Sequence, residues 1–246
     1  MDKITYSVSV RGKPAREPVG YYMEAYFPKI PVSSVDSVFG FAERSTLYGG
    51  REFRKPQLTD GDCDFLYEHG SGVKLPLSNH FVSEAEYEQN QPFLEKYHRK
   101  GNQLVIVNDD LARWVRRDYP DYSPEASVIK DIRTHDDIGK ALEIYDTVVL
   151  PMDVNNDIRF LKSIEDKSRI RLFMNAGCAY KCPLKLCYKS FSRLNKFTGD
   201  ATFQCSQSDF FRTHHEMVEF DVDRLFDLGF HKFKVLRPKG NIATAF

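Results

Sequence analysis

An α/β fold, built as a parallel barrel of the (β/α)8, TIM-barrel-like type and either complete or one strand short, is what three features of this 246-residue chain predict. Short runs rich in Val, Ile and Leu recur along it, as strands buried on both faces require. Amphipathic stretches with helix-capping residues lie between them. Run and stretch alternate at roughly 20–35 residues, the rhythm of βαβ units. An open doubly wound sheet is the alternative. However, no GxGxxG follows the first run and no GxxxxGK[ST] occurs, so the main support for a nucleotide-binding sheet is missing.

Taken in order, residues 1–34 read as an N-terminal arm or cap, and residues 35–246 as the barrel domain. The segment 10–30 has three prolines and four aromatics, which suit an irregular cover rather than a linker. The first apolar run is "VDSVFGF" (35–41), and the loop-rich region 42–72 after it is expected to lie over the barrel mouth. "VKLPLSN" (73–79) follows. Ser83 with Glu86 then forms a capping box, Pro92 divides the helical stretch in two, and Gly101 stops it. After "QLVIVND" (103–109), the stretch "DDLARWVRRDYP" places Leu111, Trp114 and Val115 on one helix face. "ASVIKDI" (126–132) and "TVVLPMD" (147–153) are followed by "HDDIGKALEIY" and "NNDIRFLKSIEDKS", short helices with acidic or Asn starts. The sixth run, "RIRLFMNAG" (169–177), leads into a cysteine-rich loop. "FDVDRLFDLGF" places Val222, Leu225 and Phe226 on one stripe, closes at Gly229, and is followed by "HKFKVLR" (231–237).

Lys plus Arg equals Asp plus Glu at 35 each, so net charge gives no argument for nucleic acid or membrane as partner. The first residues show no apolar h-region, and no run approaches 18 apolar residues. A cytoplasmic protein without membrane contact is expected. Disulfides are rare there, and the odd count of five cysteines suits metal-ligand thiolates better than a disulfide framework.

Three of those cysteines, Cys178, Cys182 and Cys187, fall within ten residues directly after a strand, and Cys205 follows. In a parallel barrel, the loops after the strands carry the chemistry. Four thiolates in segment 178–205 suit a [4Fe–4S] cluster, with zinc as the alternative. Cys205 has no CxxC partner, whereas zinc sites usually pair two knuckles; inert buried thiols are the non-functional reading. The CxxxCxxC spacing of radical-SAM sites is not matched.

"NAGCAYKCP", the later lone cysteine and "LFDLGFHKFKVLRP" together resemble the collagenase-like peptidase U-32 family. The closing motif is Gly229, Phe233, Lys234 and Arg237, and "LSNHFVSE" and "LVIVNDDLARWVRRDYP" resemble the family's second and third βα units, over roughly residues 35–238. The resemblance implies a TIM-barrel-like fold with a four-cysteine [4Fe–4S] cluster. It also implies oxygen-independent hydroxylation, which understood members perform on tRNA, rRNA or ubiquinone precursors, some with prephenate as oxygen source. The cysteine spacing marks a divergent member.

Polar residues at expected strand ends complete the candidate site. Asn175, Lys234 and Arg237 are the catalytic candidates, and Asn79, His80, Asn108 and Asp153 the substrate-binding ones. Asn and Asp at strand ends also serve as ordinary caps and turns. Lys234 and Arg237 would hold a carboxylate or phosphate. His214 and His215 are a further ligand pair or a solvated loop, and Cys63, in the turn-like "TDGDCD", is a bystander thiol. Lys185, Lys189, Arg193 and Lys196, interleaved with Tyr180, Tyr188, Phe191 and Phe197, are the only hint of nucleic acid. No GxSxG or HExxH supports hydrolysis. The expected function is iron–sulfur-dependent modification of a nucleobase or a small aromatic metabolite. The alternative is a non-enzymatic barrel that binds nucleic acid or protein and is stapled by its metal, and a homo- or heterodimer is compatible with either.

Overall fold

The computed structural model describes residues 3–182, 184–214 and 216–236. Ten strands occur in it: β1 (Thr5–Ser9), β2 (Val35–Phe39), β3 (Gly72–Leu75), β4 (Gln103–Ile106), β5 (Ser123–Ala126), β6 (Thr147–Val149), β7 (Ile170–Phe173), β8 (Asn175–Ala176), β9 (Val218–Glu219) and β10 (Lys232–Val235). Eight of them close into a parallel barrel in the order β1-β10-β7-β6-β5-β4-β3-β2, and β8 pairs with β9 in a separate antiparallel ribbon. The barrel is therefore complete, and the α/β barrel expectation holds.

Two boundaries need correction. The barrel begins at Thr5 and not at residue 35, because β1 pairs with both β2 and β10. Its sequence, "TYSVS", turns Ser7 and Ser9 to one side, which breaks the apolar run that marks the other strands. The remainder of the first segment holds the helix Val19–Tyr26. The thiol-bearing loop consequently follows the seventh barrel strand rather than the sixth. β1 and β10 pair in parallel and close the sheet on itself. The fifth strand lies slightly earlier than its apolar signal: Val128 and Ile129 belong to a short 3-10 turn after β5.

Helices fill the crossovers where caps and stripes place them. Pro92 does separate two helices, Glu84–Gln89 and Gln91–Lys96. Asn108 caps Asp109–Asp118, Thr134 caps His135–Ile144 and Asp221 caps Val222–Asp227. "TDGDCD" is not a turn but the start of the helix Asp60–Glu68, closed by a Thr59–Asp62 capping box. The Asp62 carboxylate also receives Lys13 Nζ at 2.8 Å and the Val19 amide at 2.7 Å, fixing the residues after β1 against this helix.

The barrel interior departs from the usual Val, Ile and Leu filling. Ser7, Lys74, Glu125 and Arg171, from alternate strands β1, β3, β5 and β7, are all buried. Lys74 Nζ and Arg171 Nε reach Glu125 Oε2 at 2.8 and 2.7 Å, so one carboxylate joins three strands. A second carboxylate comes from an irregularity. Tyr6 pairs with Val35 and Ser7 with Ser37, so Asp36 is an extra residue in β2. A bulge re-aims its side chain, and Asp36 Oδ2 meets Arg171 at 2.7 Å.

Candidate functional site

A cavity of about 240 Å³ opens where the strands end. Ser9, Phe39, Val105, Phe173 and Lys234 reach it from the strands, and Ser78, Ser127 and Met152 from the loops just after them. This is the C-terminal mouth of a parallel barrel. Cys178, Cys182, Cys187 and Cys205 line the same cavity, all as free thiols.

Three short pieces of chain bring the sulfurs there. Cys178 opens a 3-10 turn that ends at Lys181, and Cys182 caps it. Lys185, with φ of 47°, turns the chain into the helix Leu186–Leu194, whose second residue is Cys187. The stretch carrying Cys205 is tied back to that helix, with Ser190 Oγ donating to the Thr202 carbonyl at 3.1 Å and accepting from the Gln204 amide at 2.8 Å. The sulfurs sense one another. Burial pushes the Cys187 thiol up to about 12, and charge on Cys205, Cys178 or Cys182 adds to the rise. Cys178 is raised by burial, with Arg11 opposing and Cys205 and Cys182 adding to it. Cys182 is lowered despite its burial, because Ser206 and the Lys185 amide, at 3.1 and 3.3 Å, favour its thiolate. Cys63 stands apart, buried in the helix Asp60–Glu68, and burial followed by the nearby Asp60 and Asp62 lifts its thiol to about 12.

Of the polar candidates, Lys234 is brought to the cavity. Arg237 and His215 lie outside the described residues. The other candidates are occupied elsewhere. Asn175 is buried, its amide donating to the Leu236 carbonyl at 3.0 Å and accepting from the Leu236 amide at 2.8 Å, so it splices β8 to the end of β10. Asn79 donates to the carbonyls of Thr46, Tyr48 and Ser192. His80 sits half-buried against Ser192 Oγ at 3.0 Å, Asn108 is a helix cap, and exposed Asp153 pairs with Arg133 at 2.7 Å. None of these four substrate-binding candidates lines the cavity. Asn and Asp at strand ends here satisfy backbone, as such residues ordinarily do.

The basic patch is likewise divided. Lys185 pairs with Asp131 at 3.2 Å and Lys196 with Glu86 at 2.6 Å, while Tyr188 and Phe191 face the cavity. Residues not anticipated from the sequence are Arg11 and Arg51, which line the cavity, and the buried layer beneath it. The layer had a signal: single charges inside short apolar strands, as in "GVKL", "SPEA" and "IRLF". Burial alone would raise the Glu125 carboxyl, but Lys74, Arg171 and Lys234 together hold it far below the ordinary carboxylate range. Burial and the neighbouring Arg171 push Lys74 down to about 7, against the pull of Glu125.

Asn195 locks the assembly. Its amide donates to the carbonyls of Tyr48 and Arg51 at 3.0 and 2.8 Å and accepts from the Phe53 amide at 2.8 Å. With Asn79 it holds the loop after β2 against the thiol-bearing helix. Gly49 lets that loop pass close to the loop after β3, since a Cβ there would stand 2.0 Å from the Ser78 carbonyl oxygen.

No family model and no curated protein matches this chain. Among solved structures, it is similar to the one described as the U32 peptidase Mk0906. That similarity has a TM-score of 0.66 at 12% sequence identity and covers 98% of this chain and 96% of the other. At that identity, what is shared is the barrel fold over nearly the whole length. Among the described residues, no helix is long and apolar enough to cross a membrane.

Proposed function

We propose that the protein is an iron–sulfur-dependent enzyme that modifies a small aromatic metabolite or a nucleobase at the barrel mouth. One observation carries this reading: four free thiols, from three separate pieces of chain, line one cavity where the barrel strands end. Cys178, Cys182, Cys187 and Cys205 would hold a [4Fe–4S] cluster. Among the described residues, no three His, Cys, Asp or Glu side chains are grouped for a single ion. Four thiols are the donor set that an iron–sulfur cluster takes, and that chemistry, rather than any spacing between the sulfurs, is what favours the cluster. The amide of Lys185 and the hydroxyl of Ser206 would stabilise thiolate at Cys182, as groups around a metal ligand do.

Bound there, a cluster supplies one-electron or Lewis-acid chemistry beside the ligand. The protein's own residues shape the rest. Phe39, Phe173 and Met152 would give the ligand an apolar wall, and the buried Ser9, Ser78 and Ser127 would add polar side chains to the lining. The solved relative is called a peptidase. Among the described residues, the wall of this cavity carries thiols and basic side chains, with no imidazole or carboxylate.

Anaerobic purification tests this reading. Brown protein with about four iron and four sulfide per chain is expected. Serine at any of the four cavity cysteines should lower the iron content, whereas Cys63→Ser should not. Colourless protein with one zinc, or iron retained when two of the four are replaced together, would overturn it.

A further inference from the structure

The cavity wall is one-sided in charge. Arg11, Arg51 and Lys234 line it together with Lys185, whose charge is matched by Asp131, and among the described residues no Asp or Glu is part of the wall. The layer beneath is also unbalanced. Lys74, Arg171 and Lys234 face two carboxylates, Glu125 and Asp36. Lys232, half-buried one turn of the pleat away, adds to the same excess.

Lys234 is the member of this layer that reaches the cavity, and it is the most loosely held. Its Nζ stands 3.5 Å from Glu125 Oε1, at the edge of hydrogen-bonding range, whereas Lys74 and Arg171 hold Oε2 at 2.8 and 2.7 Å. Its side chain is only 7% exposed, and its other neighbour is the face of Phe39, 4.5 Å from the ring centre. An ammonium in such a place forgoes water and gains one distant carboxylate already shared by two other cations. That cost is relieved if the amine sheds its proton, the direction in which burial pushes Lys234, or if a further anion completes the set and keeps it charged. Arg11 and Arg51 line the same cavity as Lys234 and the four thiols, so the cations border the same space.

We propose that this cavity binds a small organic anion, its carboxylate or phosphate seated on Lys234 between Arg51 and Arg11, and its apolar body against Phe39, Phe173 and Ile129. The inference rests on the cavity being the substrate's seat, as proposed above, but not on what the thiols hold. It selects, among small aromatic metabolites, those with an acidic group. It also gives the buried charge layer a purpose besides packing: Glu125 and Arg171 position Lys234.

Calorimetric titration of the full chain, purified anaerobically, with benzoate, phenyl phosphate and neutral benzamide tests this directly. At least one anion should bind ten-fold or more tightly than benzamide, and the tighter of the two identifies carboxylate or phosphate as the preferred head. Lys234→Gln should weaken the anion ten-fold or more and leave benzamide unchanged. Lys234→Arg should restore most of the loss. Equal affinity for benzamide and the anions, or absence of binding by all three probes, would overturn the proposal on the unsubstituted protein alone, whether or not the variants fold. Iron is measured on the same samples. Anion preference in iron-free protein would leave this inference standing and remove the cluster; an intact cluster with no anion preference would do the reverse.

Discussion

The charge layer inside the barrel and the thiol-bearing segment above it are both made of ionisable side chains, yet they are held in opposite ways. In the layer, side chain binds side chain: one glutamate ties β3, β5 and β7 together, and a bulged aspartate adds β2. In the segment, backbone carries the structure. Turns, two asparagine amides and Ser190 place the sulfurs. Damage to the first should therefore spread through the whole barrel, whereas damage to the second should stay local. Buried ion pairs fix geometry at the expense of sensitivity to any single loss, and backbone clamps tolerate change at one point because neighbouring bonds persist.

The largest expected effect is that of Glu125→Gln. Removal of the charge leaves Lys74, Arg171 and Lys234 facing one another, at a cost of about 3–5 kcal/mol. Urea unfolding should show that drop in a single transition. A loss below about 1 kcal/mol would mean that the layer does not hold the barrel. Asn195→Ala comes next. It orphans two buried carbonyls and one amide, and about 2–3 kcal/mol is expected because such groups then lack partners. Hydrogen exchange should rise mainly in residues 45–53 and 186–194; exchange rising equally in all barrel strands would erase the contrast drawn here.

Acid offers a milder probe. Burial is overcome at Glu125 by Lys74 and Arg171, and at Asp36 by Arg171 and Lys74, so both carboxyls titrate below their unfolded values. The unfolded chain then binds protons that the folded one refuses. The stability these groups supply is present above about pH 4.5 and is lost as pH falls through that value and below. Glu125→Gln should flatten the slope of unfolding free energy with pH in that range. Lys185→Gly should have the smallest effect. Glycine removes a left-handed backbone cost of about 1–2 kcal/mol, against loss of the half-buried pair with Asp131. Unfolding should shift by less than about 1 kcal/mol, while the thiol of Cys182, which accepts from the Lys185 amide, should react faster with a disulfide reagent.

Much of this fold was legible because parallel strands buried on both faces leave continuous apolar runs. β4, β6 and β7 announce themselves in that way. β1 does not, since its inward residues are Ser7 and Ser9 and its apolar ones alternate with them. The thiols were legible as a cluster in sequence, and Lys234 from its phase on the last strand. Asn79, Asn108 and Asn175 were misleading for one physical reason: an amide at a strand end serves a loop's backbone as readily as a ligand, and here the backbone takes all three. Arg11 and Arg51 were hidden because they come from irregular chain, where no period says which way a side chain faces.

The seam between β1 and β10 joins residues more than two hundred positions apart, Tyr6 beside Phe233 and Ser7 beside Lys234. Without β10 the barrel would have seven staves and two raw margins, one at β1 and one at β7. Shutting that gap brings together the most distant parts of the polymer, the slowest kind of contact to form. The lysine that borders the cavity thus arrives on the final stave, so the pocket cannot exist before the wall that holds it is finished.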